Sequence, residues 1–252
     1  TACCARSNLQ NIDMSGLPRE QNKVKYLRAL TFDLDDTLWD NRPVLVAAEQ
    51  SLYDWLVRHY PRIKQHYRLE DMWSLRSDLL QLNPELRHNV TTLRKTSLRV
   101  VAQTAGYDHN LVEPAIAVFL EARHQITIYK DVVPALQRLR SAGFCLGTLT
   151  NGNADVKRLG LGQLFDFSLS AESTGMAKPH PHMFEEACRL AKVDAAELAH
   201  IGDEPGTDLA GAQNAGVTVI WMNRGGVPAV PGITYHAEIH NMTQLLDLLG
   251  LN

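Results

Sequence analysis

The sequence predicts an α/β fold: a doubly wound parallel sheet, Rossmann-like, carrying an inserted all-helical domain. Three observations predict it. Short apolar runs recur along the chain, each stopping abruptly at polar groups. Beyond residue 130 these runs alternate with helical periods, the rhythm of βα units. Between the first run and the second lies a long stretch, residues 41–129, in which every periodic segment is helical. The helical stretch interrupts the α/β pattern, so it reads as an insertion rather than a tandem domain.

Residues 1–22 are polar and aperiodic and contain Gly16 and Pro18, which predicts a flexible N-terminal tail. Tyr26–Phe32 is a β-capable apolar run that ends in Asp33-Leu34-Asp35-Asp36, as a buried parallel strand would. Asp40 and Asn41 offer an N-cap and Pro43 fits a first helical turn, so Val44–His59 is the first helix. Glu70–Leu82, Asn89–Thr104 and Val112–Gln125 are three more, broken at Pro61, Pro84 and Gly106. Pro134–Ser141 is a short helix closed by Gly143, followed by a strand over Phe144–Thr150. A weak helix over Ala154–Leu164, a strand over Phe167–Ser170 and a helix over Pro181–Ala191 come next. The remainder reads as strand Leu198–Ile201, helix Thr207–Ala215, strand Val217–Met222 and helix Met242–Leu249. The core is therefore expected to comprise residues 23–40 and 130–252, and the helical domain residues 41–129.

Composition removes several classes of function. With 252 residues, 45% hydrophobic and 21% charged, the chain is too apolar for intrinsic disorder and can bury a sizeable core. A net charge of −3 gives no basic surface for nucleic acid, and no apolar run reaches the ~18 residues of a membrane span. Four cysteines without a Cys-x-x-Cys pair exclude zinc ribbons and thioredoxin-like sites. Cys145 and Cys188 read as free thiols of a reducing cytoplasm, and no basic-then-apolar leader is visible.

In a sheet of this kind ligands collect outside the carboxyl ends of the strands. The groups expected there are Asp33 and Asp35, Thr150 and Asn151, Lys178, and Asp203 with Asp208. Carboxylates converging on one rim repel unless a cation sits between them, and all-oxygen ligation suits Mg²⁺. A lysine and a threonine hydroxyl nearby suit phosphate oxygens. Taken singly, each feature is more simply read as a solvated acidic turn, a strand-end hydroxyl or a surface charge. His180 and His182 lack further ligands at sensible spacing and read as loop or helix-start residues.

Four segments in order resemble the haloacid dehalogenase superfamily, most of whose members are Mg²⁺-dependent phosphotransferases. They are Phe32-Asp33-Leu34-Asp35-Asp36-Thr37-Leu38, Leu149-Thr150-Asn151-Gly152, Ala177-Lys178-Pro179, and Gly202-Asp203 followed by Asp208. The resemblance implies that Asp33 is the nucleophile, forming an aspartyl-phosphate, and Asp35 the general acid and base. It implies Mg²⁺ held by the Asp33 carboxylate, the Asp35 backbone carbonyl and Asp203. Thr150, the Asn151 N–H and Lys178 would grip the phosphoryl oxygens, with Asp208 orienting Lys178 or a water on the metal. The insertion matches a helical cap, which implies a small-molecule phosphate ester as substrate.

Leu38–Val44, with Thr150–Asn153, resembles the bacterial phosphatases of flavin biosynthesis, which act on flavin mononucleotide and its aminouracil ribityl phosphate precursor. In that reading Arg42 contacts substrate from the connection into the cap. Sugar phosphates or nucleotides are the alternative substrates. A 2-haloacid dehalogenase or a non-catalytic phospholigand-binding protein are the alternative functions.

Overall fold

The computed structural model describes residues 26–252, and the expected tail over residues 1–22 lies outside them. Six strands form one parallel sheet in the order β3-β2-β1-β4-β5-β6. They are β1 Ala29–Phe32, β2 Cys145–Thr150, β3 Phe167–Ser170, β4 Leu198–Gly202, β5 Thr218–Met222 and β6 Ala237–Ile239. Every residue of β1, β2, β4 and β5 is buried, which is why these runs carry apolar residues on both faces rather than alternating apolar with charged ones. The two faces follow the period of two: Leu30 and Phe32 join one core with Leu146, Ile201 and Ile220, whereas Ala29 joins the other with Leu149 and Val219.

Four helices make the insertion: α1 Asn41–His59, α2 Leu69–Leu82, α3 Val90–Thr104 and α4 Val112–Arg123. Asp40 caps α1 by accepting the Arg42 N–H at 3.1 Å, and Asn89 caps α3 through the Thr92 N–H at 2.7 Å. Ala48, Leu52, Leu56, Leu98, Val101, Ile116 and Phe119 give this block a core of its own. Its two connections to the sheet lie side by side. Trp39 and Ile128 form an antiparallel bridge, and the Tyr129 N–H donates to the Leu38 carbonyl at 3.0 Å.

Inside the block, Glu49 is only 4% exposed and its Oε1 accepts from both Arg76 and Arg94 at 2.6 Å. The Arg94 guanidinium also lies over the Phe119 ring, 3.5 Å from its centroid. Glu49→Ala is expected to cost about 3–5 kcal/mol, because two desolvated guanidiniums lose their shared counter-charge. Chemical denaturation measures this, and a loss below ~0.5 kcal/mol would show that the trio contributes nothing.

The remaining helices, α5 Val132–Ser141, α6 Ala171–Thr174, α7 His182–Ala191, α8 Ala210–Asn214 and α9 Met242–Leu248, pack around the sheet. Val132, Leu136 and Leu139 of α5 and Met242 and Leu245 of α9 cover one face, and Met183, Phe184 and Ala187 of α7 cover the other.

The weak helix expected over Ala154–Leu164 does not form; only Gly162–Leu164 makes a single 3₁₀ turn. The Asp155 side chain accepts the Lys157 N–H at 2.8 Å and Gly160 takes a left-handed φ of 74°, so local turn bonds displace the helical ones. The helix expected over Thr207–Ala215 begins instead as a widened π turn over Pro205–Leu209, in which Glu204 O accepts from Asp208 and Leu209. Strand β6, three residues at the sheet edge, had no counterpart in the sequence reading.

Candidate active site

The strand order reverses at β1, whose neighbours β2 and β4 connect in opposite directions, and a crevice opens above their carboxyl ends. A cavity of about 180 Å³ sits there, lined by Asp33, Asp35, Asp36, Thr150, Asn151, Gly152, Lys178, Asp203, Glu204, Thr207 and Asp208. All the rim residues expected from sequence are thus brought together. Arg42 is not among them. It is exposed on the first turn of α1, and its backbone N–H belongs to the Asp40 cap.

After β1 the chain makes one tight turn, with the Leu38 N–H returning to the Leu34 carbonyl at 2.9 Å. Asp36 takes a φ of 60° there, a conformation that Asp tolerates better than most residues, and its Oδ1 accepts the Asn41 N–H at 2.8 Å. This turn presents Asp33 and Asp35 to the same cavity but gives them different partners.

Asp33 Oδ1 accepts from Lys178 Nζ at 2.6 Å, and the same ammonium donates to Asp208 Oδ1 at 2.5 Å and the Leu149 carbonyl at 2.6 Å. All three protons of the buried lysine are therefore used. Burial pulls the ammonium toward neutrality, but the Asp208 and Asp33 charges outweigh it and hold its pKa above the ordinary value. Burial likewise opposes ionisation of Asp208, yet Lys178 and the hydrogen bond from His200 keep that carboxyl well below its usual range. Asp33 is raised well above its usual range, first by burial and then by Asp208, Asp203 and Asp35, against the pull of Lys178.

Asn151 works through its side chain. Its Oδ1 accepts the Lys178 N–H at 2.8 Å and its Nδ2 donates to the Lys178 carbonyl at 2.9 Å, which fixes the lysine loop against β2. Thr150 Oγ1 accepts the Gly152 N–H at 2.9 Å. Gly202 lets Asp208 approach β4, since a Cβ there would lie 2.5 Å from the Asp208 Cβ.

Asp33, Asp203 and Asp208 each offer a carboxylate oxygen, and these oxygens all lie within 4.8 Å of one another. Asp208 is already committed: Oδ1 to Lys178 and His200, Oδ2 to the Glu204 N–H at 3.1 Å. Asp203 Oδ1 accepts a long bond from Thr37 Oγ1, at 3.3 Å. Burial, then Asp208 and Asp36, push the Asp203 carboxyl up to about 7. Hard oxygen donors crowded until they resist ionisation fit a small divalent cation. Asp35 does not join this cluster through its side chain.

Two residues of the site were missed from sequence. His200, in mid-β4, links Thr31 Oγ1 at Nδ1 (3.0 Å) to Asp208 Oδ1 at Nε2 (3.1 Å), its ring edge-on to Phe184. Burial lowers its pKa, and because an ionised carboxylate only accepts, Nε2–H is the donor to Asp208. A histidine inside a strand buried on both faces was the available signal. Arg123, the last residue of α4, reaches across from the helical block, and its NH2 donates to Asp35 Oδ1 and Oδ2 at 2.5 and 2.7 Å. Trp39 Nε1 donates to the same Oδ1 at 2.9 Å. No signal in the sequence marked Arg123.

The chain belongs to the haloacid dehalogenase-like hydrolases, whose family model matches residues 27–216. Curated relatives named as phosphatases place it among the phosphoric monoester hydrolases of that family. It is 32% identical over 200 residues to the 5-amino-6-(5-phospho-D-ribitylamino)uracil phosphatase of Escherichia coli K12, covering 78% of this chain and 83% of that protein. It is 27% identical to a glyceraldehyde 3-phosphate phosphatase of Pyrococcus abyssi, with 88% and 92% covered. Among solved structures, a protein described as a 2-haloacid dehalogenase from Pseudomonas syringae matches with a TM-score of 0.83 and 44% identity, covering 89% of this chain and 98% of that one. Among the described residues no helix is long and apolar enough to cross a membrane.

Proposed function

We propose that this protein is a cytoplasmic, Mg²⁺-dependent phosphatase that hydrolyses a small-molecule phosphate monoester through an aspartyl-phosphate, with residues 41–129 as its cap. The observation that carries this reading is the buried Asp33–Lys178–Asp208 constellation, open to one cavity that also holds Asp35, Thr150 and Asp203.

Asp33 attacks phosphorus; its bond to phosphorus forms as the ester P–O bond breaks, and Asp35 gives a proton to the departing alkoxide. Asp35 then takes a proton from the water that cleaves the acyl phosphate, which frees phosphate and restores Asp33. The Lys178 ammonium and the Thr150 hydroxyl stabilise charge on the phosphoryl oxygens. Asp33 and Asp203, with the Asp35 backbone carbonyl, would hold Mg²⁺, which supplies neutralisation of the transferring group's negative charge.

Linkage gives the cation reading a test that needs no activity. Asp203 binds its proton more tightly in the fold (about 7) than its ordinary value of 3.8. Protonation therefore stabilises the metal-free protein fully below that ordinary value, and the contribution is lost as pH rises through about 7. A cation takes over where the proton leaves. Mg²⁺ is expected to raise Tm more at pH 8 than at pH 5.5, and Asp203→Asn to erase most of that difference. Equal shifts at both pH values would contradict the site.

For substrate, the ribitylaminouracil phosphate of riboflavin biosynthesis, or flavin mononucleotide, is supported by the E. coli relative and by the Leu38–Val44 run. The Pyrococcus relative supports the second reading, a sugar phosphate. The Pseudomonas structure supports a third, dehalogenation, but carbon–halogen cleavage needs neither an acid for an alkoxide nor a phosphate-neutralising cation, whereas Asp35 would serve as the first and Asp203 would help hold the second. A panel of flavin mononucleotide, ribitylaminouracil phosphate, sugar phosphates, nucleotides and phosphopeptides, with halide release from 2-haloacids alongside, separates these readings. Phosphopeptides ranking first would overturn the cap reading. Halide release without phosphate release would overturn the phosphatase.

A further inference from the structure

We propose that Arg123 is a positioning residue for Asp35, so that acid–base chemistry at the rim depends on the helical block being seated on the sheet. The proposal rests on the phosphatase reading above. Arg123 is 1% exposed, yet its NH2 serves Asp35 alone and its NH1 has no hydrogen-bond partner among the described residues. A guanidinium desolvated for one carboxylate, with a donor left over, is a poor stabilising device. It is a good geometric one, since two bonds from NH2 and one from Trp39 Nε1 hold both oxygens of Asp35.

The space for this arrangement is supplied by Gly152. A Cβ at that position would lie 3.0 Å from Asp35 Oδ2, 3.3 Å from Thr150 Oγ1 and 3.9 Å from Arg123 NH2. Asp35 Oδ2 and Thr150 Oγ1 therefore both border Gly152 in the cavity. On the other side, α4 is anchored by Ala115, Ile116 and Phe119 in the core of the helical block, and Arg123 stands one turn beyond Phe119 on the same face. Moving α4 withdraws the fork from Asp35, because the two groups sit on opposite sides of the connecting segments. A proton donor and acceptor must lie within hydrogen-bond reach of its target, and a misplacement of about 1 Å can cost ~10²-fold.

A double-mutant cycle with p-nitrophenyl phosphate, at enzyme concentrations that resolve the residual Asp35→Asn rate, tests the assignment. Arg123→Ala is expected to lower kcat about 10²-fold with KM changed less than about threefold. In the Asp35→Asn background the same substitution is expected to cost less than about threefold more, since nothing remains to be positioned. Arg123→Lys keeps a cation on a shorter side chain that does not reach both Asp35 oxygens and is expected to follow the same pattern, which covers an alanine variant that does not fold. A full second loss in the Asp35→Asn background, or a rise in KM with kcat unchanged, would overturn the proposal and make Arg123 a direct substrate contact. A wild-type protein that releases no phosphate from any ester would overturn the phosphatase reading, and this assignment with it.

Discussion

Asp33→Asn is expected to abolish phosphate release, with a loss on the order of 10⁴–10⁶-fold, the range seen when a covalent nucleophile is removed. The amide has the same shape but no anionic oxygen to attack phosphorus, so no acyl phosphate forms and neither half of the reaction proceeds. The fold should survive, because the side-chain oxygen can still accept from Lys178 Nζ and the removed charge is one that burial and three neighbouring carboxylates already oppose. Steady-state phosphate release, with circular dichroism as the folding check, measures it. Turnover within tenfold of wild type would show that Asp33 is not the nucleophile.

Lys178→Met should damage both activity and stability. Among the described residues the ammonium is the cation that ion-pairs with both Asp33 and Asp208, and it also donates to the Leu149 carbonyl. Without it Asp33 and the Leu149 carbonyl lose this donor and buried Asp208 keeps only His200 and the Glu204 N–H, a defect of about 3–5 kcal/mol. The phosphoryl oxygens lose a preorganised cation, worth about 10²–10³-fold in rate. The stability defect should shrink as pH falls. Asp33 holds its proton to a higher pH than an ordinary carboxyl, and a protonated carboxyl needs no counter-charge. Urea denaturation at pH 5 and pH 8 tests the sign, and a defect that grows on acidification would contradict the charge argument.

The rim was legible in sequence because its groups are tied to local patterns. Asp33 and Asp35 follow a strand that announces itself by burial on both faces, and Gly202-Asp203 follows another. Once two such strands are assigned to one parallel sheet, their carboxyl ends must meet, and the acidic groups converge without further information. Thr150 and Lys178 gained their places the same way. Asn151 was legible as a residue but not as a device: its part in fixing the lysine loop lies in a side-chain clamp across 27 positions.

Local competition explains the elements that went astray. Helical period over Ala154–Leu164 lost to an Asx turn and a left-handed glycine, and β6 is too short for any period to show. Arg42 and Arg123 mark the sharper divide. By sequence, an arginine beside the first motif looked nearer the chemistry than one at the end of a helix, where a cation is commonplace for the helix dipole. The fold brings the second to the rim, because the second connecting segment returns alongside the first and lays the end of α4 over Asp35, 88 residues away in the chain.

The sequence by itself determined the parallel sheet, the helical insertion and the acidic rim, since each is written in burial periods and strand-end polarity that neighbouring residues share. Only the tertiary structure decided which guanidinium meets Asp35, that His200 backs Asp208, and that the two motif aspartates take different cations, Lys178 for Asp33 and Arg123 for Asp35. Those outcomes depend on which side chains share a desolvated space, and interactions of that kind have no period along the chain.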